Sequence, residues 1–359
     1  MKKARVGVIG AGIYGTEVLK VFQTNHKEGL IDLTAFSEID TAAFNKAEKT
    51  FNIKGYVNYK EMVEKEKLDG VAVVTPDHLH NEIGIWCAAH KVHMLMQKPL
   101  DITSAGAKEI VDAVKKNDIL MFVDFHKRYD PGHIMLKNRI KAGKLGRIQY
   151  GYVCMEDIIR VPTVWFKSWA HNSSPAWFIG VHFFDLIYWL LESRPLNVTA
   201  TGMKHKLISM GIDTYDSLQA KFNFENGASI TVDSSWILPN NFTATVNQQI
   251  RIVGSDGMME VDTQDRGVVA AFESDEVSVH ANPFGKLEVE DTTYGGTRIN
   301  GYTAESMIHF LKILSLVING SAVEAFKGQY PDGEDAVVSA RMTEALHESA
   351  DVGGMIVNI

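Results

Sequence analysis

Over the first third of the chain, short β-rich apolar runs alternate with stretches whose apolar positions recur at helical spacing. Residues 5–9, 33–37, 70–74, 92–96 and 120–123 read as strands, and residues 42–51, 78–89 and 104–116 as helices. This βαβ rhythm predicts an α/β fold with a doubly wound parallel sheet, a Rossmann domain spanning residues 1–125. A helix over residues 132–142 follows Asp130-Pro131 and stops at Gly143, where Gly143-Lys144-Leu145-Gly146 reads as a turn. Beyond it the period changes. Longer alternating strands are expected over residues 148–159, 198–206, 217–224, 229–236 and 248–253, with Glu225-Asn226-Gly227 as a tight hairpin turn. Helical patterns return at 304–316 and 333–350. Residues 126–359 are therefore expected to form an α+β domain around a largely antiparallel open sheet.

Composition narrows the function. A chain of 359 residues exceeds one ordinary core, and 45% hydrophobic with 22% charged residues is that of a soluble globular protein. A net charge of −8 argues against nucleic-acid and anionic-membrane partners, which need a clustered positive field. A small molecule is the expected partner. Lys2 and Lys3 precede only a short apolar run broken by Gly7, so neither a signal-peptide core nor a spanning helix is read, and a cytoplasmic location is expected. Cys87 and Cys154 lie far apart and are expected to be reduced and buried. No His, Cys and carboxylate cluster has ligand spacing, so no metal site is expected.

Gly10-Ala11-Gly12-Ile13-Tyr14-Gly15 follows the first strand and opens the first helix. Glycines there permit a tight turn and close approach of backbone to a pyrophosphate, and the helix N-terminus offers unpaired N–H groups to phosphate. Glu38, just past the second strand, can accept hydrogen bonds from a ribose diol and would repel a 2′-phosphate, which favours NAD over NADP.

A second set of motifs adds chemistry. Lys98 lies between Gln97 and Pro99 at the end of an apolar run, where the proline pushes it towards extended geometry at a strand end. Thr75-Pro76-Asp77-His78-Leu79-His80, Arg128-Tyr129-Asp130-Pro131 and Gly180-Val181-His182-Phe183-Phe184-Asp185 complete the series. Together with the glycine loop, these motifs resemble the glucose-fructose oxidoreductase, inositol dehydrogenase and rhizopine-catabolism (Gfo/Idh/MocA) family in order and spacing over nearly the whole chain. The resemblance implies NAD, a Rossmann domain, and a homodimer or homotetramer formed through the C-terminal sheet. It also implies cofactor contacts from Thr75, Pro76, His80, Gln97 and Lys98 beside those of the loop. The family pattern has Glu before the lysine, where this chain has Gln97, and Asp four residues before the histidine, where it has Phe178.

Oxidising a secondary alcohol requires a base for the hydroxyl proton and a donor for the developing alkoxide. Lys98 and His182 can supply these roles. With carboxylates absent at 97 and 178, Lys98 is expected to lose its proton more easily than in relatives. Asp185, three residues after His182, can share its helix face and orient it or a substrate hydroxyl. Trp165, Trp169 and Trp177, with Arg160 among the polar residues beside them, are read as a substrate loop, although aromatic residues equally mark subunit contacts. The resulting expectation is an NAD-dependent dehydrogenase acting on a sugar, glycoside or cyclic polyol. An NAD-dependent glycosidase working by transient oxidation, and a non-enzymatic ligand-binding regulator, are the alternatives.

Overall fold

Strands too apolar to face water on either side need helices on both faces, and the first sheet follows that rule. In the computed structural model, which describes residues 2–262, 267–271, 273 and 279–359, six strands form this sheet. They are β1 (Ala4–Ile9), β2 (Ile31–Ser37), β3 (Lys54–Tyr56), β4 (Gly70–Val73), β5 (His93–Met96) and β6 (Met121–Val123), all parallel, in the order β3-β2-β1-β4-β5-β6. Every residue of β4 and β6 is buried. The strand order reverses between β1 and β4, and a crevice at such a switch point is where open α/β sheets bind ligands.

The connecting helices are α1 (Ile13–Lys27), α2 (Thr41–Phe51), α3 (Tyr59–Glu66), α4 (His80–Ala89) and α5 (Ser104–Asn117). Asp40 caps α2 by accepting the Ala43 N–H at 2.8 Å, and Thr103 caps α5 by accepting that of Gly106 at 3.0 Å. β3 and α3 were not expected. Each is short, with little apolar period to read, and α3 is opened instead by the side chain of Asn58.

The chain divides into two units, Met1–Tyr129 with Phe284–Val337 and Asp130–Pro283 with Val338–Ile359. The alternation of elements predicts one break after residue 125, and the second crossing corrects it. Its physical cause is the apolar face of the helix Tyr302–Ile318. Met307, Phe310, Leu311 and Leu314 of that helix join the core formed by β1, β2 and α1. Phe122 of β6 also stacks on Tyr330, with ring centroids 5.2 Å apart. That segment belongs to the first core by burial, although it follows the second in sequence.

In the second unit, β7 (Ile148–Ile158), β8 (Pro195–Met203), β9 (Ser217–Phe224), β10 (Ser229–Leu238), β11 (Val246–Gly254) and β12 (Met258–Asp262) form a sheet closed at one edge by Val357–Asn358. Neighbours pair antiparallel except β10 with β7, which run parallel. The hairpin between β9 and β10 turns at Asn226-Gly227, where Gly227 has φ 86° and the Asn226 side chain accepts the Ala228 N–H at 3.0 Å. Helices α6 (Pro131–Lys141), α7 (Val181–Leu191) and Gly333–Asp351 contribute Leu136, Phe183, Phe184, Met342 and Leu346 to this core.

The strand expected over 198–206 instead spans Pro195–Met203. The Asp216 carboxylate accepts the backbone N–H groups of His205, Lys206 and Leu207 at 2.7–2.8 Å, which starts a helical turn there. Cys87 and Cys154 are buried free thiols. Among the described residues no helix is long and apolar enough to cross a membrane.

Candidate active site

The glycine loop sits where β1 ends. Gly10 has φ +94°, and a Cβ on it would lie 2.4 Å from the Val74 carbonyl oxygen, so the turn tolerates no side chain. A Cβ on Gly15 would meet the Gly10 oxygen at 2.1 Å, whereas at Gly12, the residue preceding α1, nothing lies within 4 Å. The loop is thus tight on its protein side and open on the other. Ile13 is exposed, and Tyr14 turns inward to donate its hydroxyl to the Asp124 carboxylate at 3.0 Å. Glu38 spans the ends of β1 and β2: one oxygen accepts the Ala11 N–H at 2.7 Å, the other those of Ile39 and Asp40 at 2.8 and 2.9 Å.

Beyond β4, Thr75 is half-buried and Pro76 exposed. Buried oxygens of Thr75 (Oγ1) and Asp77 (Oδ2) have no hydrogen-bond partner among the described residues. Burial raises the Asp77 pKa, opposed by the positive charges of His80, Lys98 and His78. His80 has no exposed surface. Its ring lies between the carbonyl oxygens of Pro99, 2.8 Å from Nδ1, and Thr75, 3.0 Å from Nε2. It therefore braces the end of β4 against the lysine segment, so any effect on a cofactor is exerted through the backbone it joins.

Gln97 is buried and donates to Asp124 at 2.6 Å, while its backbone N–H pairs with Val73. Lys98 follows, half-buried, on a cis peptide bond to Pro99. The expectation of a lysine without nearby anions needs correction, since Asp77 lies within its electrostatic reach. Asp124 is a second buried anion, bonded to the residue beside it.

In the second unit His182 and Asp185 are both buried on the first turns of α7, which a π-helical turn, Ala176–Gly180, leads into. The three candidate tryptophans do not share one environment. Trp165 is 43% exposed, Trp169 packs against Phe166 with centroids 4.6 Å apart, and Trp177 is 9% exposed and stacked on His347. Phe178 lies between Phe166 and Trp236, so the position that would carry a carboxylate is part of an aromatic cluster. Arg160 is exposed, its backbone N–H bonded to Asn240. Among the described residues no group of His, Cys, Asp and Glu could hold a metal.

Residues 4–125 match the oxidoreductase family, NAD-binding Rossmann fold, and residues 133–260 match the GFO/IDH/MocA C-terminal domain. The chain belongs to the GFO/IDH/MocA family. It is similar to the myo-inositol 2-dehydrogenase of Thermotoga maritima, 26% identical over 266 residues that cover 72% of this chain and 75% of that protein. Its fold is also that of two solved structures. The myo-inositol 2-dehydrogenase of Lactobacillus plantarum has a TM-score of 0.79 at 18% identity, with all of both chains covered. The scyllo-inositol dehydrogenase of Lactobacillus casei with bound NAD(H) and scyllo-inositol has a TM-score of 0.77 at 16% identity, with 99% of each chain covered.

As a GFO/IDH/MocA member the chain is an NAD-dependent oxidoreductase, and its own residues fit that cofactor. The loop is closed to side chains at Gly10 and open at Gly12, α1 begins beside it, and an acidic residue ends β2. Sequence reasoning missed Asp77 and Asp124. An acidic residue directly after the apolar run at 120–123 is the signal that could have marked Asp124, because the C-terminal ends of parallel strands border the crevice.

Proposed function

We propose that the protein oxidises a secondary hydroxyl of a cyclic polyol or sugar. The observation that carries this reading is the lysine segment: Lys98 is held at the end of β5, in the same parallel sheet as the glycine loop. The support from comparison is that relatives at about this similarity are named as inositol dehydrogenases.

NAD, when bound, supplies the hydride acceptor. The remaining need is proton management at the hydroxyl, and the chain offers two groups for it. Lys98, as an ammonium, donates a hydrogen bond to the hydroxyl oxygen and stabilises the negative charge that develops there. His182 accepts the hydroxyl proton, and Asp185, three residues on along α7, orients the imidazole or a neighbouring hydroxyl. Trp165, the most open of the three tryptophans, offers an indole face to the C–H side of a ring. The cytoplasm as the place of action, and a dimer or tetramer assembled through the C-terminal sheet, belong to the same proposal.

A panel of inositols, aldoses and aryl glycosides incubated with NAD tests this. Steady NADH formation with at least one polyol or sugar is expected, and it should fall by about 100-fold or more in Lys98→Met and in His182→Ala. Aglycone release without net NADH would replace this reading by a redox-neutral elimination. Binding without turnover would replace it by a regulator.

A further inference from the structure

We infer that Asp124 is a positioning residue that ties the glycine loop to the lysine segment and holds both in working geometry. The proposal rests on the reading of Lys98 as a reacting group. Asp124 directly follows β6, and its side chain has no exposed surface. A carboxylate so placed must find donors within the protein, and those it has come from three separate segments. Tyr14 of the loop and Gln97 donate to Oδ2 at 3.0 and 2.6 Å, and Ser306 of the helix Tyr302–Ile318 donates to Oδ1 at 2.6 Å. His126 Nδ1 lies 4.0 Å away. Burial alone would raise the Asp124 pKa, but His126, Ser306 and Gln97 outweigh it and hold the group below its ordinary value, as an anion. Tyr14 is shifted well up, by burial first and Asp124 second, and stays a phenol donor.

The consequence is geometric. Gln97 adjoins Lys98, and Tyr14 lies between Gly12 and Gly15, so one carboxylate fixes two pieces that must keep a set separation during hydride transfer. The amide at 97 matters because it donates: a carboxylate there would face Asp124 at hydrogen-bond distance with no proton between them. Asp124 touches no reacting atom on this reading and acts through Gln97 and Tyr14.

An exchange of the two side chains tests the inference in the full-length protein. Asp124→Asn alone and Gln97→Glu alone should each lower kcat by about 10–100-fold, the range expected when a reacting group shifts by an ångström or loses its support. The double variant Q97E/D124N restores one carboxylate and one amide in reversed order and should recover most of that loss. A merely structural role would lower thermal stability in the singles without rescue of kcat. Parental kcat in Asp124→Asn, or a double variant no better than the poorer single, overturns the inference. If Asp124→Asn does not fold, the exchange still decides: a folded, active double variant supports the inference, and an inactive or unfolded one overturns it. Lys98→Met, run in parallel, separates the two claims, because its retained activity would defeat the reading of Lys98.

Discussion

The carboxylate of Glu38 accepts the backbone N–H of Ala11 at 2.7 Å, joining the end of β2 to the glycine loop. The acidic residue that favours a ribose diol is therefore also a strut of the loop. Its replacement should damage both roles at once. Glu38→Ala is expected to raise KM for NAD by about tenfold or more, since hydrogen bonds to a charged group contribute about 1.5–3 kcal/mol. The ratio of kcat/KM for NADP over NAD should rise in the same variant, because the charge that repels a 2′-phosphate is gone. Steady-state kinetics with both dinucleotides check this, and an unchanged KM for NAD would refute the strut.

His80 tests the brace between β4 and the lysine segment. Its removal in His80→Ala leaves the Thr75 and Pro99 carbonyls without the ring that joins them. The expected loss is about 2–5 kcal/mol of unfolding free energy by urea titration. NAD affinity should weaken at temperatures where the variant is still folded. A stable variant with normal NAD binding would remove His80 from the site altogether.

The tryptophans should separate by burial. Trp177→Ala deletes a core ring stacked on His347 and should cost about 3–5 kcal/mol of stability, whereas Trp165→Ala should leave stability within about 0.5 kcal/mol. Substrate KM is expected to rise in the second variant. If Trp165→Ala changes the oligomer and not KM, the residue belongs to a subunit contact.

Much of this is legible in the sequence, and the reasons differ by residue. The glycine loop, Lys98 and the hairpin at Asn226-Gly227 depend on local backbone demands, and local demands leave local sequence signals. Asp124 was not legible, because its partners come from residues 14, 97 and 306, and no spacing rule connects them. The same holds for Phe178: its identity was visible, but its enclosure depends on Trp236 of β10, far along the sequence, as well as on nearby Phe166. The second crossing between units was missed because the helix Tyr302–Ile318 announces an apolar face without announcing which core it covers.

Acid should weaken the fold through its buried imidazoles. His347 is held below the ordinary imidazole value of 6.5, chiefly by burial, with its ring nitrogens on Thr343 and Ser174. A histidine whose folded pKa is depressed binds protons more readily when unfolded. Its contribution is therefore complete above pH 6.5 and is lost as pH falls through the folded value. His347→Gln should lower stability at neutral pH and flatten its decline below pH 6.5. Unfolding midpoints between pH 5 and 8 measure it, about the range over which histidine titrates, and an unchanged slope would assign the acid sensitivity elsewhere.

Because the segment Phe284–Val337 completes the first core, the half of the protein that begins first on the ribosome cannot be finished until most of the other half has been made. When Val123 emerges, Phe122 has no Tyr330 to stack on and Asp124 has no Ser306 to receive a proton bond from. The nascent sheet must wait, its edge strand and a buried anion unsatisfied, until Ser306 and Tyr330, 183 and 207 residues beyond Val123, are synthesised, on the order of ten seconds or more at ordinary translation rates. Nor can the nucleotide-binding half be transplanted as one continuous stretch: a chimaera that keeps its core has to exchange two pieces of the gene together.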